Sequence, residues 1–326
     1  MSAEYDRILS VWEAFAVGDA MGMPTEFMTP DQIRSAVGGL PEDFVPSSLS
    51  LKHPNLPEGS VTDDTEQNLY LLAEAKNSGR LSPEVAVSAL NRWIEETGAV
   101  EKAYIGPSSL RALCAIRDGV PPCEAGKGGT SCGGVMRAPA ALLWKPEQSE
   151  EELAESIYAA LLPTHNTSEA LEAAGAYGFA RRAARAGDSM SAIFDAAIRG
   201  GESLIRRAPS ISCAPSSVER LKAAQKLDLS SSDLLEYLFR IWGTGLPSAD
   251  VCGAVFALFA FAGKDVWLAA RLAAVLGGDT DTIGALTAAL SAAYAGGNNV
   301  PEFILEKIRR VNRDLFLQKL PALLHD

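Results

Sequence analysis

Histidine is scarce in this chain, with three among 326 residues, and that excludes a His-rich zinc site. Cysteine is sparse as well. The five (Cys114, Cys123, Cys132, Cys213, Cys252) are odd in number and form no C-x-x-C, which speaks against a disulfide framework and for a reduced, intracellular setting. Basic residues fall short of acidic ones, 29 against 41, for a net charge of -12. Such a surface repels nucleic acid and anionic membranes, so neither is expected as a partner. Long apolar runs are missing: the longest, 251–262, is too short to span a bilayer and meets Gly263-Lys264-Asp265. The first residues, Met1-Ser2-Ala3-Glu4-Tyr5-Asp6, are acidic where a secretion signal would be basic and then apolar. The expected location is cytoplasmic.

Strand-like alternation bounded by hairpin turns is also lacking, and helical periodicity takes its place. Ile8, Val11, Trp12, Phe15 and Ala16 recur at helical spacing. Thr29-Pro30-Asp31-Gln32 has the form of a capping box, and Ser82-Pro83-Glu84 and Ser149-Glu150-Glu151-Glu152 read as further helix starts. Gly79, Gly119 and Gly187 close apolar-periodic runs. Ala-rich stretches at 167–186, 251–276 and 282–295 suit closely packed helices. Segments 38–61, 120–134 and 207–217, rich in Gly, Pro or Ser, read as loops. The expected fold class is all-α. With 47% hydrophobic residues the chain can bury a large core.

Two short acidic motifs lie near opposite ends: Val61-Thr62-Asp63-Asp64-Thr65-Glu66 and Gly277-Gly278-Asp279-Thr280-Asp281-Thr282. Each is legible as a helix start. Asp63 with Glu66 resembles a capping box, and the glycine pair ends one helix before the next. Yet adjacent carboxylates repel unless a cation neutralises them, and Asp279 and Asp281 can converge in a loop entering a helix. Carboxylates and threonine hydroxyls are hard oxygen ligands, which select Mg²⁺, Mn²⁺ or Ca²⁺. If the fold joins the motifs, a catalytic site for one or two such ions follows, and a shared site favours a single domain over residues 1–326.

Three further motifs have a plain structural reading beside a functional one. Gly18-Asp19-Ala20-Met21-Gly22-Met23-Pro24-Thr25-Glu26 is a helix end and turn, or places Glu26 on a loop near the ions. Gly128 through Arg137 is a flexible connection or a loop whose N–H groups cradle a phosphate. Thr164-His165-Asn166 precedes a helix capped by Asn166 or Thr167.

In order, GDAMGMPTEF, VTDDTEQ, SCGGVMRAP, THNTSEA and GGDTDTIGAL resemble the ADP-ribosylglycohydrolases and span residues 18 to 287. The resemblance implies a compact orthogonal helical bundle of that type. It implies two divalent cations, Mg²⁺ or Mn²⁺, on Thr62, Asp63, Asp64, Asp279, Asp281 and Thr282. It gives Glu26, Asp63 and Asp64 catalytic roles, and it gives Ser131, Cys132, Gly133, Gly134, Val135, Met136 and His165 contacts to substrate. The implied reaction is hydrolysis of the ribosyl glycosidic bond in an ADP-ribosylated protein or small molecule, releasing ADP-ribose.

Two departures bear on substrate. Ser131-Cys132-Gly133 stands where many members carry Gly-Asn-Gly. Tyr104-Ile105-Gly106 is the best match where many arginine-directed members carry Asp-Ile-Gly, so the carboxylate that resembles a guanidinium partner is missing. The alternatives are a hydrolase of another ribosyl or nucleoside-like metabolite, and a non-catalytic ADP-ribose-binding relative.

Overall fold

The structure is a computed structural model that describes residues 3–102, 104–320 and 323; His325 lies outside them. Among the described residues sixteen α-helices follow one another and no strand forms. The first half comprises α1 (Ala3–Gly22), α2 (Pro30–Val37), α3 (Asp63–Ser78), α4 (Pro83–Thr97), α5 (Pro107–Arg117), α6 (Pro122–Ala125), α7 (Ala138–Leu143) and α8 (Glu150–Leu161). The second comprises α9 (Ser168–Arg185), α10 (Met190–Ile205), α11 (Ser217–Ala224), α12 (Ser231–Tyr237), α13 (Ser248–Ala262), α14 (Val266–Ala274), α15 (Thr280–Ala295) and α16 (Glu302–Val311). The all-α expectation holds.

Local chemistry sets most boundaries where the sequence placed them. Thr29 and Ser149 form complete capping boxes, Ser82 caps α4, and Gly79 ends α3 in the left-handed conformation. Thr167, not Asn166, caps α9 by accepting from the Ala170 N–H at 3.3 Å. The expected loop at 120–134 differs: it contains α6 and a 3₁₀ turn, Gly126–Gly128. Pro122 occupies the first helical position, where its missing N–H costs nothing, and Pro121 before it stays extended.

α15 is buried from Thr280 through Ala293, which places it at the centre of the bundle. α1 crosses it in backbone contact. A Cβ added to Gly18 would lie 2.1 Å from the Gly284 carbonyl oxygen, and one on Gly22 would lie 2.2 Å from that of Thr280. Only glycine permits that approach. The C-terminal end of α1 and the N-terminal end of α15 therefore arrive at one place, and the start of α3 joins them there. A connected apolar core surrounds the pair, with a smaller cluster, including Tyr70, Trp93 and Leu113, beneath α3 to α5. Among the described residues no helix is long and apolar enough to cross a membrane.

Candidate metal centre

The centre begins with a residue that the motif reading passed over. Asp19, fully buried near the end of α1, accepts hydrogen bonds from the Thr62 hydroxyl at 2.8 Å and the Thr65 hydroxyl at 2.6 Å. It also accepts from the backbone N–H of Thr62 at 3.0 Å and of Thr65 at 3.2 Å. Asp19 thus ties α1 to the first turn of α3. The cap of α3 is Thr62, extended at φ -114°, with its hydroxyl accepting from the Asp64 N–H at 3.4 Å. The expected Asp63–Glu66 capping box does not form, because Glu66 instead accepts from Trp93 Nε1 at 2.8 Å. The one sequence signal for Asp19 was a carboxylate set in the apolar last turns of α1.

The second motif is held by backbone. Gly277 and Gly278 adopt φ of 83° and 86°, and a Cβ on Gly278 would lie 2.1 Å from the Thr244 carbonyl oxygen. The Phe27 N–H donates to the Gly278 carbonyl at 2.7 Å, and the Gly278 N–H donates to Met28 at 3.1 Å. Phe27 is the one non-glycine residue of positive φ, 63°, among those described. This stitching seats the Glu26 loop against Asp279. The Thr280 hydroxyl is spent on the Gly22 carbonyl at 2.7 Å, whereas the Thr282 hydroxyl donates to Asp64 Oδ2 at 3.2 Å. The two acidic motifs do meet, as the sequence suggested. Glu26, Asp279 and Asp281 offer carboxylate oxygens within 4.8 Å of one another.

Charge in this cluster is unbalanced. The Lys52 ammonium, 2.8 Å from Glu26 Oε1, makes the one ion pair to any of Asp19, Glu26, Asp63, Asp64, Asp279 and Asp281 among the described residues. Lys52 comes from the 38–61 loop and also lies 4.2 Å above the Phe27 ring centre. Asp64 Oδ1 and Asp279 Oδ2 are buried without a hydrogen-bond partner. Burial, and next the Asp281 carboxylate, push Glu26 up to about 8 against the pull of Lys52. Burial likewise raises Asp19 to about 7, opposed by its Thr65 hydrogen bond. Asp63, Asp64 and Asp279 are raised by burial and then by Asp281. Orphaned buried carboxylate oxygens, surrounded by like charge and hydroxyls, fit a hard divalent cation.

The glycine-rich segment lies against this cluster. Cys132 is buried, and its Sγ lies 3.7 Å from the Thr282 hydroxyl oxygen. Burial, and next Asp279, raise its thiol well above the usual value, so it stays protonated and is no nucleophile. Ser131 and Gly133 are half-buried and present the segment to solvent; Gly134, Val135 and Met136 turn inward, and Met136 offers its carbonyl to Asn68 Nδ2 at 2.6 Å.

His165 sits behind the segment, fully buried, with Nε2 2.9 Å from Ser131 Oγ. Its Nδ1 lies 3.2 Å from Arg137 Nη2. A guanidinium only donates, so Nδ1 is the acceptor and Nε2 carries the proton toward Ser131. Burial, then Arg137, hold His165 well below its ordinary pKa and therefore neutral.

Arg137 is a second residue beyond those expected. It is wholly buried, its guanidinium donates to Thr164 Oγ1 and to Gln67 Oε1 (3.3 Å for the latter), and burial lowers it to about 10. Gln67 Nε2 in turn donates to Asp63 Oδ2 at 3.0 Å, so one amide links Arg137 to the acidic cluster. At the rim, His53 meets Tyr104 edge-on with ring centres 4.6 Å apart. That contact places Tyr104 beside the Lys52 segment.

Comparison with known proteins bears on the family and the fold. A family model described as ADP-ribosylglycohydrolase matches residues 1–325. The "Uncharacterized protein YegU" of Escherichia coli K12 is 30% identical over 319 residues, covering 94% of this chain and 93% of the relative. An uncharacterized protein of Archaeoglobus fulgidus is 31% identical over 312 residues, covering 95% and 93%. A solved structure described as an "ADP-ribosylglycohydrolase-related protein complex" superposes with a TM-score of 0.64 at 24% identity, covering 98% of this chain and 100% of that one. At that identity the likeness speaks for the fold.

Proposed function

The chain belongs to the ADP-ribosylglycohydrolase family, and from that premise we propose a divalent-metal-dependent hydrolase that cleaves the ribosyl glycosidic bond of an ADP-ribosylated protein or small molecule and releases ADP-ribose. The observation that carries the proposal is the pair of partnerless oxygens, Asp64 Oδ1 and Asp279 Oδ2, inside a carboxylate cluster whose one ion-pair partner among the described residues is Lys52. Residues 1–326 act as one domain. Thr62, Asp63, Asp64, Asp279, Asp281 and Thr282 would hold two ions, Mg²⁺ or Mn²⁺. The Thr62 and Thr282 hydroxyls point their protons at Asp19 and Asp64, which leaves oxygen lone pairs for a cation.

When bound, the ions supply positive charge that balances the carboxylates and polarises ribose hydroxyls and water. The protein's own groups do the rest. Asp63 and Asp64, fixed by Gln67 and Thr282, orient the ribose and the attacking water. Glu26, held at the site by the Phe27–Gly278 backbone pair, moves the proton to or from the glycosidic oxygen or nitrogen. Bond breaking builds positive charge on the ribose, and the surrounding carboxylates stabilise it. Ser131 and Gly133, half-buried beside the cluster, would meet the diphosphate, while His165 acts from behind by fixing Ser131.

The rim offers Lys52, His53 and Tyr104 where a guanidinium would need a carboxylate. Arginine-linked substrates are therefore disfavoured, and a nucleoside-like ribosyl compound is the second reading. The test is ADP-ribose release from proteins modified at defined linkages, with Mg²⁺, Mn²⁺ or chelator, beside Asp63→Asn. Metal-dependent release that is lost in the variant is expected. Cleavage of simple nucleosides with no need for a diphosphate would replace the first reading by the second, and tight ADP-ribose binding without turnover would make the protein a binder.

A further inference from the structure

At the other end of the α1–α15 pair lies a cavity of about 410 Å³, a volume ordinary for small-molecule sites. It is walled by the first turns of α1, the end of α7 and the segment after it, α9, α10 and the last turn of α15. Ile8 and Asp19 are eleven residues apart on α1, so the cavity stands roughly 17 Å from the acidic cluster.

Five arginines line it in a chain of net charge -12: Arg7, Arg181, Arg182, Arg185 and Arg199. Three are answered by exposed glutamates. Arg182 and Arg199 approach Glu150 at 3.7 and 3.3 Å, and Arg185 approaches Glu147 at 3.3 Å and also pairs with Glu4. Two are not. Arg7, exposed in the lining, has no partner among the described residues. Arg181 is 6% exposed, makes no ion pair among the described residues, and has an Nη1 that is buried without a hydrogen-bond partner. Burial lowers its pKa, Tyr177 opposes that shift, and the Arg185 guanidinium adds to it. A guanidinium cannot shed its proton at neutral pH, and an unpaired one costs several kcal/mol to bury. Apolar side chains, Ile8, Leu142 and Phe179 among them, line the same cavity.

We propose that this cavity binds a small organic oxyanion, a phosphate monoester or carboxylate with an apolar body, with its oxygens on Arg181 and Arg7 and its body against Ile8, Leu142 and Phe179. The inference stands apart from the reaction at the acidic cluster. A planar guanidinium fork suits either oxyanion, and the probes separate the two sources.

The experiment is calorimetric titration of the Mg²⁺-loaded protein with phenyl phosphate, benzoate and inorganic phosphate, followed by thermal melts, for wild type, Arg181→Met and Arg7→Ala. Saturable binding of phenyl phosphate or benzoate, tighter than inorganic phosphate, is expected, and the tighter organic probe names the headgroup. Arg181→Met should weaken it by about tenfold or more, and Arg7→Ala by about threefold. Absence of binding by either organic probe overturns the proposal. So does binding unchanged in Arg181→Met, which would put the anion elsewhere, such as at the metal centre. Should Arg181→Met not fold, Arg7→Ala decides alone: Arg7 is exposed, and an unchanged affinity there overturns the site.

Discussion

The two ends of the α1–α15 pair are opposites. At one, carboxylates crowd together with Lys52 as their one ion-pair partner among the described residues, and at the other, five guanidiniums line a cavity that Glu4, Glu147, Glu150 and Asp188 also line. The manner of support differs as much as the sign. The acidic end is fixed by backbone: glycines in contact, a Thr62 cap held by Asp19, and a two-way hydrogen bond between 27–28 and Gly278. The basic end is arranged by long side chains whose glutamate partners lie at the surface. The first suits chemistry that needs fixed distances, and the second suits a ligand to which side chains adjust. Net charge foretold neither, because it averages over both.

The sharpest way to break this contrast is to remove charge from the rigid end. Asp281 raises the pKa of Glu26, Asp63, Asp64 and Asp279. Asp281→Asn should lower kcat/KM for ADP-ribose release by about a thousandfold, the rate equivalent of ~4 kcal/mol, with the helical circular dichroism unchanged. Retained activity would show that the cluster is not the centre of the chemistry.

Next in size is the pH dependence of stability without metal. Asp19 and Glu26 keep their protons up to about 7 and 8 in the folded protein, whereas an unfolded chain loses them near pH 4. The folded state thus binds more protons across that window, and its stability falls as pH rises through it. Melting in chelator should drop by about 5–10 °C from pH 5 to pH 8, and Mg²⁺ should restore more at pH 8 than at pH 5. Melting that rises with pH in chelator would contradict the cluster's charge state.

The smallest effect is expected at Lys52, the one ion-pair partner of the acidic cluster among the described residues. Lys52→Met should leave melting within about 1 °C, change kcat about tenfold, and move the Glu26-dependent limb of the pH–rate profile to higher pH. That direction follows because Lys52 now pulls the Glu26 pKa down. A profile that does not move would detach Lys52 from the chemistry.

The sequence displayed what is local and hid what is distant. Helix starts at Thr29, Ser82 and Ser149 were legible because a cap and its partner lie three residues apart. The acidic motifs were legible because their carboxylates are adjacent. Asp19 acts on Thr62 across 43 positions, and Lys52 meets Glu26 across 26, so no spacing rule reveals either. Arg137 left a faint mark, a single charge in the apolar run Val135-Met136-Arg137-Ala138-Pro139-Ala140, but its partners lie far along the chain, Gln67 on α3 and Thr164 in the turn between α8 and α9. His165 stood in the right motif, yet its full burial behind Ser131 depends on how closely the glycines let the chain approach it. A Cβ on Gly134 would lie 3.0 Å from His165 Cβ.

The contact of α1 with α15 through Gly18, Gly22 and Gly284 bears on how this protein can change. Where main chain meets main chain, no substitution with a side chain can be accommodated by repacking a neighbour, so the acid-bearing ends of the two helices are inherited together or lost together. Lys52, His53 and Tyr104 stand outside that constraint, on connections between helices, and can be exchanged singly. Divergence in what is cleaved is thereby separated from divergence in how it is cleaved.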